Sequence, residues 1–143
     1  MTAIQPAFDA RAAARTFYDL LSNPLSDESA AAFRAATSEA WTSIGDYSGT
    51  EKSRDAFLAQ VNGFGRLIPD LRWNIEDMMQ DGERVIVRGR ATGTPVGPMF
   101  GVDCQGRGFD IMSIDIHTLQ DGRIVRTHHV EDWAGALRQL SGR

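Results

Sequence analysis

The first half of the chain carries apolar residues at the three- and four-residue spacing of amphipathic helices. The first such segment covers residues 10–21 and ends at Asn23-Pro24. The third and last segment ends at Pro69. A residue that can cap a helix start precedes each segment: Asp9, Ser26, and Thr50 or Ser53. The pattern therefore predicts three N-terminal helices.

From Leu71 onward the period changes to the alternation of strands, with Gln-Asp-Gly triplets at 80–82 and 120–122. Asp-Gly between alternating apolar runs favours a tight hairpin turn, because both residues accept positive φ angles. Two hairpins are predicted, joined by a glycine-rich connection over residues 93–108. The predicted strands are Leu71–Met79, Val85–Thr94, Gly108–Leu119 and Ile124–Trp133, with a shorter one at Trp41–Tyr47 and a final helix at Ala134–Leu140. Helices followed by antiparallel strands indicate an α+β fold with helices on one face of a sheet.

The last hairpin holds all three histidines of the chain. A two-residue turn at Asp121-Gly122 would place Asp115 opposite His128 and would put His117 and Asp132 on the same face, while His129 points away. This mixed face fits either of two interpretations. It lines a pocket, where desolvation brings a carboxylate pKa toward neutrality, or it is exposed and its charges pair across the strands.

The 143 residues are expected to form one domain over 1–143, and the net charge of −4 disfavours nucleic acid and anionic membranes as partners. The N-terminus resembles no signal peptide and no long apolar run occurs, so a cytoplasmic protein is expected.

The chemical inventory is narrow, since 14 of the 15 basic residues are Arg and the remaining one is Lys52. A single cysteine excludes a disulfide framework and a cysteine-rich zinc site. Cys104 lacks support as a nucleophile, and Lys52 at a polar helix start is interpreted as a solvated charge. Carboxylates and imidazoles remain, and hydrogen-bonding pairs are favoured over a metal site built from His117, His128 and Asp132.

Several segments, taken in order and spacing, resemble the SnoaL-like polyketide cyclases of the nuclear-transport-factor-2-like superfamily, over roughly residues 9–140. They are Gly49–Ser53, Phe64–Leu71, Asp81–Arg90, Thr94–Val102, Ile114–His117, Asp121–Val125, His128–Trp133 and Leu137–Leu140. The resemblance implies a cone-shaped barrel of strongly bent antiparallel sheet packed on the N-terminal helices. It also implies a deep apolar pocket and a homodimer.

The resemblance further implies a cofactor-free intramolecular aldol condensation of a hydrophobic carbonyl compound. Asp132 matches the family's acid/base residue near the end of the last strand, and His117 matches an assisting histidine. His128 is a second candidate donor to the oxygen that gains charge. Asp115 is expected to contact the substrate in the same pocket.

Aromatic and apolar side chains are expected to hold the body of the substrate, whereas Trp133 is expected to pack the last helix on the core. The candidates are Phe17, Phe33, Trp41, Phe57, Phe64, Trp73, Met79 and Phe100. Three alternatives stay open on this fold. They are a ketone isomerase or dehydratase, an epoxide hydrolase built on Asp115, Arg126 and Asp132, and a non-catalytic protein that binds small ligands.

Overall fold

The computed structural model describes residues 9–142. Within them the chain forms four helices and six strands, in an α+β order. In sequence they are α1 (Ala10–Ser22), α2 (Asp27–Ala36), β1 (Thr37–Ile44), β2 (Lys52–Ser53), α3 (Arg54–Leu67), β3 (Arg72–Asp81), β4 (Arg84–Gly93), β5 (Phe109–Gln120), β6 (Arg123–Glu131) and α4 (Trp133–Leu140). Residues 94–108 connect β4 to β5 and are called the 94–108 connection below.

Side-chain caps start the three N-terminal helices where the sequence predicts them. Asp9 accepts the backbone N–H of Arg11 at 3.0 Å, and Ser26 accepts that of Ser29 at 3.1 Å. Ser53, rather than Thr50, caps α3. These bonds satisfy backbone donors that a helix leaves unpaired at its first turn. The three predicted helices are confirmed.

The six strands form one sheet in the order β2-β1-β6-β5-β4-β3. Both predicted hairpins are present as antiparallel pairs. The first strand begins earlier than predicted, at Thr37, because α2 leads straight into it, and it ends at Ile44. It runs parallel to β6 while every other pairing is antiparallel, so the sheet is mixed.

The core lies between the helices and the inner face of the sheet. Phe17 and Phe57 stack at 5.4 Å between ring centroids, and Trp41 meets Phe57 edge-on at 5.0 Å. Phe33 is fully buried beside Trp41. Aromatic pairs at these distances add about 0.5–1.5 kcal/mol each to the gain from burial, so this cluster fixes α1, α2 and α3 against β1. No helix among residues 9–142 is long and apolar enough to span a bilayer.

Two glycines in α3 have opposite surroundings. A Cβ added at Gly65 would lie 2.7 Å from Cγ of Pro24 and 2.9 Å from Cγ of Leu25, whereas one added at Gly63 would meet nothing within 4 Å. Gly65 therefore allows the turn between α1 and α2 to pack closely on α3.

We expect Gly65→Ala to lower the free energy of unfolding by about 1–3 kcal/mol through overpacking. Gly63→Ala in the same helix should raise it by about 0.5–1 kcal/mol, since alanine favours the helical backbone. Urea unfolding of the two variants measures both changes, and equal effects would contradict this packing.

Candidate active site

A cavity of about 360 Å³ lies between the inner face of the sheet and the helices, with the 94–108 connection and α4 at its rim. Its walls are mainly apolar and rich in aromatic side chains, as is typical of small-molecule sites. The aromatic lining is Phe17, Phe57, Phe64, Trp73, Phe100 and Trp133, and the polar lining is Ser43, Lys52, Gln60, Asp115, His129 and Glu131.

Five of the predicted substrate-contacting aromatic residues, and Asp115, thus line this cavity. Trp41 and Phe33 do not line the cavity, because both are buried in the aromatic core. There the Trp41 indole N–H donates to Thr127 Oγ1 at 3.1 Å. Met79 does not either, because it lies near the end of β3 with 52% of its surface exposed. These three placements correct the sequence-based expectation.

Alternation along β5 turns Ser113, Asp115 and His117 inward, as the pocket interpretation requires. Asp115 is only 2% exposed, although it is a carboxylate. Its partner on β6 is His129, and His117 is paired with Thr127. The inner face of the hairpin therefore combines one buried carboxylate with two imidazoles.

The predicted pairing of Asp115 with His128 is wrong, because β6 contains a bulge. Next to the turn Gln120 pairs with Arg123 and Leu119 with Ile124, as a two-residue loop dictates, but Thr118 then pairs with Arg126. The extra residue exchanges the two faces of β6 beyond that point.

The bulge leaves His128 on the outer face, where it is exposed, and turns His129 inward instead. Arg126 is exposed as well. The Asp–Arg–Asp set of an epoxide hydrolase is therefore not assembled around the cavity. The metal set with His117 and His128 is also not assembled, because these two side chains lie on opposite faces.

Asp132 lies beyond the end of β6 and does not line the cavity. It is exposed and caps α4, where its carboxylate accepts the backbone N–H of Gly135 at 2.9 Å. The expected common face with Asp115 is therefore wrong for Asp132. The catalytic role that the resemblance implied for it stays a prediction that this geometry does not support.

A chain of hydrogen bonds backs the buried carboxylate. Tyr18 Oη lies 2.6 Å from Asp115 Oδ2 and 2.9 Å from His117 Nε2. His117 Nδ1 lies 2.9 Å from Thr127 Oγ1, which also accepts the Trp41 indole N–H. Every link is buried, so water does not compete for these bonds.

The chain has a direction, because Tyr18 has one hydroxyl hydrogen and donates it to Asp115. His117 Nε2–H must then donate to the Tyr18 oxygen. Burial lowers the pKa of His117 to about 3, so the ring is neutral and its Nδ1 accepts from Thr127. His117 thus acts behind Asp115 and does not itself line the cavity.

Asp115 is poised to change its charge near neutral pH. Burial, the largest effect, raises its pKa to about 7, while the Tyr18 hydrogen bond opposes this rise. Tyr18 engages Oδ2, and no side-chain hydrogen bond among residues 9–142 engages Oδ1. Asp115 is one of the residues that line the cavity.

His129 and Glu131 form an ion pair on the neighbouring strand. His129 Nδ1 lies 2.7 Å from Glu131 Oε2, and both side chains are largely buried. This bond, ahead of the opposing effect of burial, raises the pKa of His129. Its ring packs against Gly45, where an added Cβ would lie 3.1 Å from Nε2. The imidazolium form is thus favoured beside Asp115.

The single lysine and the single cysteine of the chain differ in their position relative to the cavity. Lys52, expected to be a solvated charge, is half-buried and lines the cavity, because the short strand β2 turns it inward against β1. Cys104 is buried in the 94–108 connection and is not part of the lining.

Sequence reasoning missed His129, Glu131, Tyr18 and Trp133 as parts of the site. A bulge leaves no mark in the hydrophobic pattern, so alternation predicts the wrong face for His129, and therefore also for Glu131 two residues further along the same strand. Tyr18 follows Phe17 in the apolar pattern of α1, which signals burial but not its distant partner on β5. Trp133 stacks on Phe64 at the cavity wall, with 6.1 Å between the ring centroids.

Comparisons with known proteins agree with this architecture. The family model described as SnoaL-like polyketide cyclase matches residues 12–140. No curated protein sequence matches the chain significantly.

Three solved structures share the fold at low identity. IdmH of Streptomyces antibioticus, described as a polyketide cyclase, is 24% identical over 92% of this chain and 98% of its own, with a TM-score of 0.79. TsrD of Streptomyces laurentii is 20% identical over 99% and 100%, with a TM-score of 0.79. AclR of Streptomyces galilaeus, described as a hydroxylase, is 18% identical over 96% and 83%, with a TM-score of 0.78. At such identities the likeness shows the fold and not the reaction.

The raised pKa of Asp115 predicts a pH-dependent stability. Between pH 3.8, its ordinary pKa, and about 7, the folded protein keeps a proton that the unfolded chain loses. This carboxyl therefore makes the protein less stable as the pH rises through that window. An amide in its place does not titrate, so Asp115→Asn should gain stability relative to wild type between pH 5 and pH 8.

Urea unfolding at the two pH values measures this difference. Asp110→Asn is the control, because Arg90 lowers the pKa of Asp110 and its exposed pair should give only a small change. A stability difference between Asp115→Asn and wild type that is the same at both pH values would contradict the buried, neutral-leaning Asp115.

Proposed function

Because the chain belongs to the SnoaL-like polyketide cyclase family, we propose that it is a cofactor-free acid/base enzyme that closes a ring in a hydrophobic carbonyl compound by intramolecular aldol condensation. One observation carries this proposal. A carboxyl group with a pKa near 7 and a histidine held toward its charged form lie side by side in an aromatic cavity. Pairs of groups with such tuned pKa values are typical of proton-transfer sites.

Asp115 is the proposed general base. A carboxylate with a pKa of about 7 takes a proton more readily than an ordinary one, and about half of it is ionised at neutral pH. Tyr18 holds Oδ2 by its hydroxyl, which leaves Oδ1 for the substrate. His117 and Tyr18 are positioning residues, since they act through Asp115.

His129 is the proposed acid. Its Nδ1 is engaged by Glu131, which fixes the ring and favours the imidazolium, so Nε2–H is the proton available to a substrate oxygen. A preorganised charged donor in a site with little water is an effective means of stabilising an oxygen that gains negative charge.

The reaction balances with these two groups. Asp115 removes a proton from a carbon next to a carbonyl, and the resulting enolate oxygen is stabilised by His129. The enolate carbon attacks a second carbonyl of the same molecule, which forms the new carbon–carbon bond and an alkoxide. The alkoxide takes a proton from the site and becomes a hydroxyl group, so no redox partner is required.

Asp132 and His128 are replaced in this proposal by Asp115 and His129. The types of residue expected from the family resemblance, a carboxylate and a histidine on the last two strands, are the same. This reassignment of residues is supported by the positions of Asp115 and His129, which line the cavity, whereas Asp132 is an exposed helix cap.

Proton transfer at carbon can be tested without the natural substrate. In deuterium oxide the protein should exchange the activated hydrogens of 2-tetralone, an apolar bicyclic ketone, as followed by proton NMR. The rate should rise as the pH rises through about 7, where Asp115 ionises, and fall again once His129 loses its proton. Asp115→Asn and His129→Gln should each lose about 100-fold or more.

Two matched variants separate this assignment from the alternatives. Asp132→Asn should keep the exchange rate, because asparagine also caps a helix, whereas a loss as large as that of Asp115→Asn would restore Asp132 as the base. Glu131→Gln should move the alkaline limb of the pH–rate profile to lower pH, because it removes the partner that favours the charged form of His129.

Hydrogen exchange without ring closure in a dicarbonyl compound would favour a ketone isomerase. Binding of tetralone without any exchange would favour a non-catalytic ligand-binding protein.

We also propose that two copies of the chain pair through the outer face of β5 and β6. Met112, Ile114, Ile116 and Val130 are 55%, 39%, 38% and 60% exposed there. Adjacent apolar residues on a sheet face are a common mark of an interface, and a two-fold pair would bury the same patch of both copies.

Ile114→Glu should convert the dimer to a monomer, because it places a charge at the centre of this patch. Light scattering coupled to size-exclusion chromatography measures the mass. Val96→Glu is the control, since Val96 is 73% exposed on the 94–108 connection. A wild-type mass of one chain, or an unchanged dimer in Ile114→Glu, would refute this interface.

A further inference from the structure

The only lysine of the chain is held at the cavity by two structural elements. Lys52 lies on the two-residue strand β2, opposite Ser43 of β1, and both side chains line the cavity. The Lys52 ammonium donates to the side-chain oxygen of Gln60 on α3, which is a lining residue as well. A long, flexible side chain is thus fixed between an edge strand and a helix at the wall of a largely apolar cavity.

The carboxylates of the lining are engaged by groups other than Lys52. Glu131 is paired with His129, whose charged form is favoured, and the ion pairs of residues 9–142 do not include Lys52. Lys52 is close enough for its charge to oppose that of His129. Its own hydrogen-bond partner, the amide oxygen of Gln60, is neutral. The lining therefore has two cations, Lys52 and His129, and two carboxylates, Glu131 and Asp115, and neither carboxylate is bonded to Lys52.

We propose that Lys52 binds a carboxylate substituent of the ligand, so that the cavity selects apolar carbonyl compounds that carry one anionic group. This inference deepens the proposed function and rests on its use of the same cavity. The apolar body would lie among the aromatic walls, with the carboxylate at Lys52.

A single carboxylate fits better than a phosphate group. One ammonium supplies one full charge, and it has no second cation with the fork geometry of arginine beside it in the lining. The other cation of the lining, His129, is already engaged by Glu131. A doubly charged phosphate would leave one charge without a partner in this apolar space.

Binding of two matched probes tests the proposal without any turnover. 2-Naphthoate and 2-naphthamide have the same shape, but only the first is an anion. Trp73 and Trp133 line the cavity, so quenching of tryptophan fluorescence reports binding. The wild-type protein should bind naphthoate about three- to tenfold more tightly than naphthamide, and high salt should weaken this preference.

Three variants test whether Lys52 causes the preference for naphthoate. Lys52→Gln should abolish it while naphthamide affinity stays unchanged, and Lys52→Arg should keep most of it. Arg66→Gln, which removes an exposed positive charge from α3 outside the cavity lining, should behave as wild type. Circular dichroism confirms that the variants are folded.

Equal affinity for both probes in the wild type, or a preference that survives in Lys52→Gln, would overturn the assignment of Lys52 and leave the proposed function standing. If neither probe binds, both the assignment of Lys52 and the proposed function are overturned, because the cavity would then not accept an aromatic ligand. Loss of deuterium exchange from 2-tetralone in Asp115→Asn would still support the proposed function if Lys52→Gln shows no change in preference.

Discussion

Side chains on a strand alternate between two faces, so one extra residue exchanges the faces of everything beyond it. In this protein the bulge in β6 has that effect, since it follows a hairpin turn whose first pairs are regular. It places His129 opposite Asp115 and sends His128 to the surface. The pairing of Asp115 with His129, the contact of Thr127 with His117 and the inward placement of Glu131 depend on this local irregularity.

The buried carboxylate is the costly element of the site. Burying an ionised group is unfavourable unless hydrogen bonds or opposite charges compensate for the lost water. Here the Tyr18 hydroxyl compensates Asp115 on one side, and His129 does so from the neighbouring strand. The compensation is partial, which leaves the carboxyl able to take or give a proton near neutral pH. The surrounding apolar walls maintain this balance because they offer the ionised carboxylate no further hydrogen bonds.

Much of the architecture can be predicted from local signals. Capping residues and prolines mark the helices, and the two Asp-Gly turns mark the hairpins, because these features act within a few residues of chain. The inward direction of Asp115 and His117 follows from simple alternation on a regular strand. The features that could not be predicted depend on contacts between distant parts of the chain. They are the parallel partner of β1, the inward turn of Lys52 and the face of β6 beyond its bulge.

Asp115 titrates near neutral pH beside a histidine held in its charged form, and the proposed chemistry depends on this pair. Carbon-13 NMR of the side-chain carboxyl groups, followed from pH 3 to pH 9, tests this titration most directly. We expect a midpoint of about 7 for Asp115, with a further rise in Tyr18→Phe, because that variant removes the hydrogen bond that favours the ionised form. A midpoint near the ordinary value of 3.8 would contradict a titration near neutral pH.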